Sequence, residues 1–161
     1  SIELGRKLLI ASDQYDLILF YKVMDQLSDN NETVPMTDKL IEIYGQSSIN
    51  SISFDRGFSC EEDRELLELF IPNVIMPKKG RLNSNDKERE STKTFKKLRK
   101  KHSTVESNIN ALEHHGLNRC PDKGLHGLKR YSGFGILAYN CHKIGIKLAE
   151  QERHREFKKA A

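Results

Sequence analysis

No apolar run in this chain approaches the ~20 residues that a membrane-spanning helix needs, which excludes a transmembrane anchor of that kind. No secretory signal opens it: the first residues, Ser-Ile-Glu-Leu-Gly-Arg-Lys, lack a charged-then-apolar pattern. They also lack an initiator methionine, which reads as a fragment or a processed chain. Cysteine is scarce. Cys60, Cys120 and Cys141 lie far apart, and no Cys-x-x-Cys pair is present, so a zinc ribbon is not indicated. An odd count without a secretion signal fits a reducing cytosol better than a disulfide framework, with each cysteine a small core residue. There are no internal repeats.

What remains is a chain of 161 residues, 37% hydrophobic and 31% charged, enough for one domain with a core and much charged surface. The formal net charge is only +4, but it is unevenly placed. Residues 1–77 carry 6 Lys/Arg against 14 Asp/Glu, and residues 78–161 carry 21 against 9. An acidic half joined to a basic half suits a metal site beside a nucleic-acid surface. Solvated charged faces explain the same composition equally well.

Hydrophobic periodicity gives a mixed α/β order. Residues 7–12 and 17–24 are apolar and β-branched around an Asp-containing turn, which predicts a β-hairpin. A polar loop follows over 25–35, then a helix capped by Thr37 or Asp38 and stopped by Gly45. Residues 49–54 read as a strand ending at Asp55. Ser59 then caps a helix with Glu61, Glu62 and Asp63 in its first turn and Leu66, Leu67, Leu69 and Phe70 inside. Pro72 stops it, and 74–76 is a short strand. From Asp86 one long helix is expected to about His115, ended by Gly116, with Phe95, Leu98, His102, Val105, Ile109 and Leu112 as its seam. A basic loop over 118–130 leads to a last helix with Phe134, Leu137, Cys141, Ile144 and Leu148 on one face. Residues 1–150 are expected to form the domain, and 151–161 a charged, disordered tail.

Two carboxylates stand out. Asp55 ends a strand, at the edge where ligand sites gather in open α/β sheets. Glu106 lies on the long helix, one step of about 100° from Val105 and so at the edge of the seam. Between them, residues 78–101 hold 11 Lys/Arg and 3 acids. Hard divalent cations take carboxylate oxygens, and a phosphodiester needs positive charge beside them. Lys93, Lys96, Lys97, Lys100 and Lys101 fall on one side of the helix and are the expected contacts to a DNA backbone, joined by Arg119 in the later basic loop. The plainer readings stand beside these. Asp before Gly forms turns, a glutamate on a charged helix is ordinarily solvated, and Arg56 is expected to pair with Glu61 or Glu62 rather than with phosphate. His114 and His115 are neighbours roughly 100° apart on a helix and do not face one metal together.

Asp-Arg-Gly-Phe-Ser (55–59) resembles the second-aspartate region of DDE transposases from bacterial insertion sequences. Val-Glu-Ser-Asn-Ile-Asn-Ala-Leu followed by His-His-Gly-Leu-Asn-Arg-Cys, within 105–120, looks like that family's glutamate helix and the turn after it. Gly-Arg-Lys-Leu-Leu-Ile (5–10), Tyr-Lys-Val-Met (21–24) and Ala-Tyr-Asn-Cys (138–141) are similar to its hairpin and its closing helix. The resemblance implies an RNase H-like mixed sheet flanked by helices, lacking the first strand, with a helical C-terminal extension. It implies Asp55 and Glu106 as catalytic and metal-holding carboxylates, with Mg2+ or Mn2+ as cofactor. It further implies the DNA of a mobile element and its target as partners, a homodimer, and a cytoplasmic, nucleoid-associated place. The family's first aspartate lies on a strand before this hairpin, and Asp13 and Asp16, in the hairpin turn, do not take its role. Glu113 stands where the family often has a DNA-contacting lysine. The chain is therefore expected to be inactive by itself. A nuclease of the same fold, or a non-catalytic DNA-binding module, is the alternative.

Overall fold

The structure, a computed structural model, describes residues 6–24 and 30–160. It is mixed α/β, 66% helical with two small sheets, so helices carry most of the packing. No helix among the described residues is long and apolar enough to cross a membrane. The chain divides into two compact units: Ser1–Met24 with Val105–Ala161, and Asp25–Thr104.

In the first unit, strands β1 (Leu8–Ser12) and β2 (Ile18–Val23) pair antiparallel, Leu8 opposite Val23 and Ile10 opposite Tyr21, with a bulge at Ala11/Ser12. Asp13 makes the turn. Its Oδ1 accepts the Tyr15 and Leu17 backbone N–H groups at 2.8 and 2.9 Å, and Asp16 takes the left-handed conformation with φ 65°. The hairpin and both turn aspartates therefore fall where the sequence places them. Ile18 packs with Leu112, Ile136 and Tyr139 in a buried cluster edged by Leu8, Ile10, Ala111 and Leu117.

The helix supplying Ile136 and Tyr139, α5 (Gly124–Ala160), is pinned to β2 by Asn140. The Asn140 amide accepts from Ile18 N–H and donates to Ile18 C=O, both at 2.9 Å. A side chain thus closes the ladder at that point of β2. Small residues let α5 approach closely: a Cβ on Gly133 would meet the Tyr21 hydroxyl at 2.5 Å, and one on Gly135 would collide with Leu117.

Three expectations change in this unit. Helix α5 starts at Gly124, inside the stretch read as loop. It continues through Gln151–Ala160, where a disordered tail was expected. And its buried face is not the one predicted: Ser132, Ile136 and Tyr139 are buried, while Phe134, Leu137, Cys141, Ile144 and Leu148 face outward. Both stripes repeat at helical spacing, and period alone cannot say which one meets the hairpin.

In the second unit, helix α1 (Thr33–Tyr44) is preceded by Glu32 at its N-cap, five residues before the expected cap Thr37. Pro35 sits in its first turn, where no intrahelical N–H bond is lost. Thr37 is fully buried and donates to Thr33 C=O at 2.8 Å, so it packs rather than caps. Residues 25–29 of the expected loop lie outside the described residues. Strand β3 (Ser51–Ser53), helix α2 (Glu61–Glu68) and strand β4 (Asn73–Ile75) form a β-α-β crossover, with Ser51 opposite Asn73 and Ser53 opposite Ile75 in parallel. Of the α2 residues expected inside, only Leu67 is buried; Leu66, Leu69 and Phe70 are exposed, and Ile71 is buried in their stead. The strands thus pair in two sheets of two, rather than in one mixed sheet.

Helices α3 (Ser84–Ser91) and α4 (Lys93–Leu112) replace the single long helix. Thr92 breaks the run with ψ 146°, and its hydroxyl accepts from Phe95 N–H at 3.2 Å, capping α4. The unit division falls inside α4. A π turn, Glu113–Leu117, follows it, with Gly116 at φ 102° as its stop.

The segment after β4 is tied down by charge. Asn83 and Asp86 form a reciprocal capping box at the start of α3, and Lys78 Nζ lies 2.7 Å from Asp86 Oδ2. That bond holds the Asp86 carboxyl below its ordinary 3.8 and the Lys78 ammonium above its ordinary 10.5. The Asp86 contribution is present above 3.8 and lost as pH falls through the depressed value; the Lys78 contribution is present below 10.5 and lost as pH rises through the raised one. Asp86→Asn should therefore lower the thermal midpoint at neutral pH, and the gap to the parent chain should close on acidification. A gap that persists at acid pH would show that the ion pair is not its source.

Candidate nucleic-acid interface and carboxylate site

Asp55 follows β3 and opens a short 3-10 turn, Arg56–Phe58. Its Oδ1 accepts the Arg56 backbone N–H at 2.7 Å, the ordinary turn-forming bond of an aspartate. The same oxygen faces Arg99 of α4, whose Nη2 stands 3.5 Å away, while Arg99 Nη1 donates to Phe54 C=O at 2.9 Å. A planar guanidinium thus spans the Phe54 carbonyl, just after β3, and the Asp55 carboxylate together. The carboxylate remains 63% exposed, and Oδ2 takes no donor among the described residues. Asp55 is thus held at one oxygen and open at the other.

Sequence reasoning missed Arg99. The signal was there: it is the single arginine among the lysines of 93–101, and it neighbours Leu98 rather than standing on the lysine side. On the helical wheel the faces of α4 follow in turn. Phe95 is buried, with Leu98 and His102 half-buried beside it. Arg99 comes next, then Lys96 and Lys100 at about 60° and 100° from it, and Lys93, Lys97 and Lys101 beyond. All five lysines are exposed, and none forms an ion pair with an acid among the described residues. One side of α4 within the second unit therefore carries five exposed ammonium groups, of which Lys96 and Lys100 are nearest the arginine that contacts Asp55 and Lys93, Lys97 and Lys101 lie farther round the helix.

Arg56 differs from expectation. It makes no ion pair among the described residues; Glu61 instead lies 3.6 Å from Arg64, which also takes Glu68 at 2.8 Å. The i, i+3 and i, i+4 spacings within α2 favour Arg64 over a residue outside the helix. Arg56 is exposed and lies in the turn that Asp55 opens.

Glu106 belongs to the first unit, on the later part of α4, and is exposed. Its nearest notable neighbour in sequence is Asn108, which is buried and accepts the Tyr139 hydroxyl at 2.7 Å. Asn108 Nδ2 is buried without a partner. Asn108 and Asn140 were read as part of a motif; the structure gives them packing roles, joining α4 and β2 to α5. Arg119 is exposed in the turn after the π segment, with its backbone N–H on Gly116 C=O at 3.2 Å. His114 and His115 are exposed, and His115 meets His142 edge-on at 6.1 Å.

Among the described residues, no group of three or more His, Cys, Asp or Glu side chains could hold a metal ion. Asp55 and Glu106 fall in different units. No family model, no curated protein and no solved structure matches the chain.

Proposed function

We propose that this chain carries part of the catalytic domain of a metal-dependent DNA transposase, which cuts and joins DNA strands at a mobile element's ends. One observation carries the reading most: Asp55 is contacted by Arg99 of α4, and Lys96 and Lys100, exposed and without an acidic partner among the described residues, are the lysines nearest that arginine around the helix. A carboxylate next to a phosphate-binding surface is what metal-assisted phosphodiester chemistry requires. The motif order from Asp55 to Asn140 supports the same assignment.

The donor set fits a hard cation in part. Asp55 offers one open carboxylate oxygen, and Mg2+ or Mn2+ at a DNA end commonly rests on one or two carboxylates plus water and substrate phosphate. In this reading Asp55 would help to hold a cation, which would supply Lewis-acid polarisation of the phosphate and an activated hydroxyl for in-line attack. The chain's own residues do the rest. Arg99 contacts Asp55, and Lys93, Lys96, Lys97, Lys100 and Lys101 grip the backbone, with Arg119 as a further contact. A nuclease would use the same residues with water as the only nucleophile.

A non-catalytic DNA-binding module is the second reading, and the lack of a three-acid cluster among the described residues favours it. The effect of Mg2+ on DNA association separates the two. If carboxylates and phosphate share a cation, millimolar Mg2+ strengthens duplex binding, and Asp55→Ala removes that gain. If lysines alone bind, Mg2+ weakens binding as a competing counterion, and Asp55→Ala and Glu106→Ala behave like the parent chain.

A further inference from the structure

Two imidazoles from different elements meet on the first unit. His115 lies in the π turn, Glu113–Leu117, and His142 on α5. Their ring centroids are 6.1 Å apart and their planes cross at 64°. Both side chains are exposed, so the contact buries little apolar area and packing alone is a weak reason for it. That edge contact is the one interaction either ring makes among the described residues.

The supports of the two rings are tied together. Gly116, next to His115, takes φ 102°, and its carbonyl accepts the Tyr131 hydroxyl of α5 at 3.0 Å. Leu117 sits where a Cβ on Gly135 of α5 would collide with it. Tyr131, Gly135 and His142 lie within about 40° of one another around α5, so one side of that helix carries the whole contact with the π turn. There is room beside His142. Ala138, one turn before it, is small, and Gly145, three residues after it, has no atom near the place of a Cβ.

We propose that His115 and His142 form a two-histidine site for one borderline divalent transition ion, of the Zn2+ and Cu2+ class, bridging the π turn and α5. Neutral imidazole suits these ions, and their bonds to its nitrogen are about 2.0–2.1 Å long. Two imidazoles on one ion therefore set their ring centres roughly 5–6 Å apart. The observed pair needs only a small rotamer adjustment to reach that geometry, which exposed side chains make at little cost. Water completes the coordination, since no third His, Cys, Asp or Glu joins the pair among the described residues. Mg2+ and Mn2+ prefer oxygen ligands, and Mn2+ stands at the weak end of the divalent series for such a site. The histidine pair is thus chemically separate from Asp55, and the inference does not rest on the transposase reading.

Calorimetric titration of Zn2+ into the whole chain, reduced and free of any histidine tag, should show one site. His115→Ala and His142→Ala should each weaken it by at least about 10²-fold, because the second imidazole no longer binds intramolecularly. The double variant should be no weaker than either single one. His114→Ala and Cys141→Ser should bind as the parent chain does. One equivalent of Cu2+ should give an electron paramagnetic resonance spectrum with two nitrogen ligands in the parent chain and not in either histidine variant. Far-UV circular dichroism should stay unchanged throughout, because both rings are exposed. No binding to the parent chain overturns the proposal. Binding that survives either histidine change, or that is lost in Cys141→Ser, overturns it too, and the rings are then an aromatic edge contact alone.

Discussion

Reversing Lys96, Lys97, Lys100 and Lys101 to glutamate should abolish DNA binding. The four side chains are exposed on one face of α4 and none has an acidic partner among the described residues, so each is free to displace a counterion from a phosphate. Each such contact contributes about −0.9 to the slope of log affinity against log salt, so four contribute roughly −3.6. Reversal removes those contacts and turns the formal net charge from +4 to −4, which adds repulsion to the loss. Fluorescence anisotropy with a labelled duplex, titrated across salt, should show at least a ~10³-fold loss near physiological ionic strength and a slope shallower by roughly 3.6, with only what Lys93 and Arg119 contribute remaining. The fold should survive, since the face that packs is the one with Phe95, Leu98 and His102. Retained affinity with an unchanged slope would place the DNA surface elsewhere.

Asn140→Ala should be the most damaging single change to the first unit. Ile18 is 5% exposed, and both of its backbone groups are satisfied by that one amide. Removing the amide strands a donor and an acceptor, each costing about 1–3 kcal/mol, so a loss of about 3 kcal/mol is expected. Asn140→Asp tests the geometry: it keeps an acceptor for Ile18 N–H but turns an anion toward Ile18 C=O, and should be nearly as costly. Urea denaturation followed by circular dichroism reads both. A loss below about 1 kcal/mol for Asn140→Ala would mean that water replaces the amide and that α5 is held by apolar packing alone.

The hairpin, the β-α-β crossover and the position of Asp55 were legible because local chemistry dictates them. Asp13 writes its own turn, Gly45 and Gly116 end helices, and β-branched runs form strands. The break at Thr92 was hidden because a hydroxyl that caps the next helix leaves no gap in the apolar pattern. The buried face of α5 was misread for a deeper reason: two stripes of similar strength share the helix, and tertiary contact chooses between them. The charged end of α5 shows the complementary limit, since composition reports solvation there but not helicity. The lysine face of α4 follows from spacing, whereas Asp55 stands out by its place after a strand and by the resemblance. Arg99 could not be assigned a role, because its link to Asp55 joins positions 44 apart.

Calorimetric titration of Mn2+ into this chain, into Asp55→Ala and into Arg99→Ala tests the central claim most directly. The account predicts binding to the parent chain, loss in Asp55→Ala, and weaker binding in Arg99→Ala, where the carboxylate is present but no longer held. Equal binding in all three would contradict it, because Asp55 would then be a turn residue and the cation would rest elsewhere.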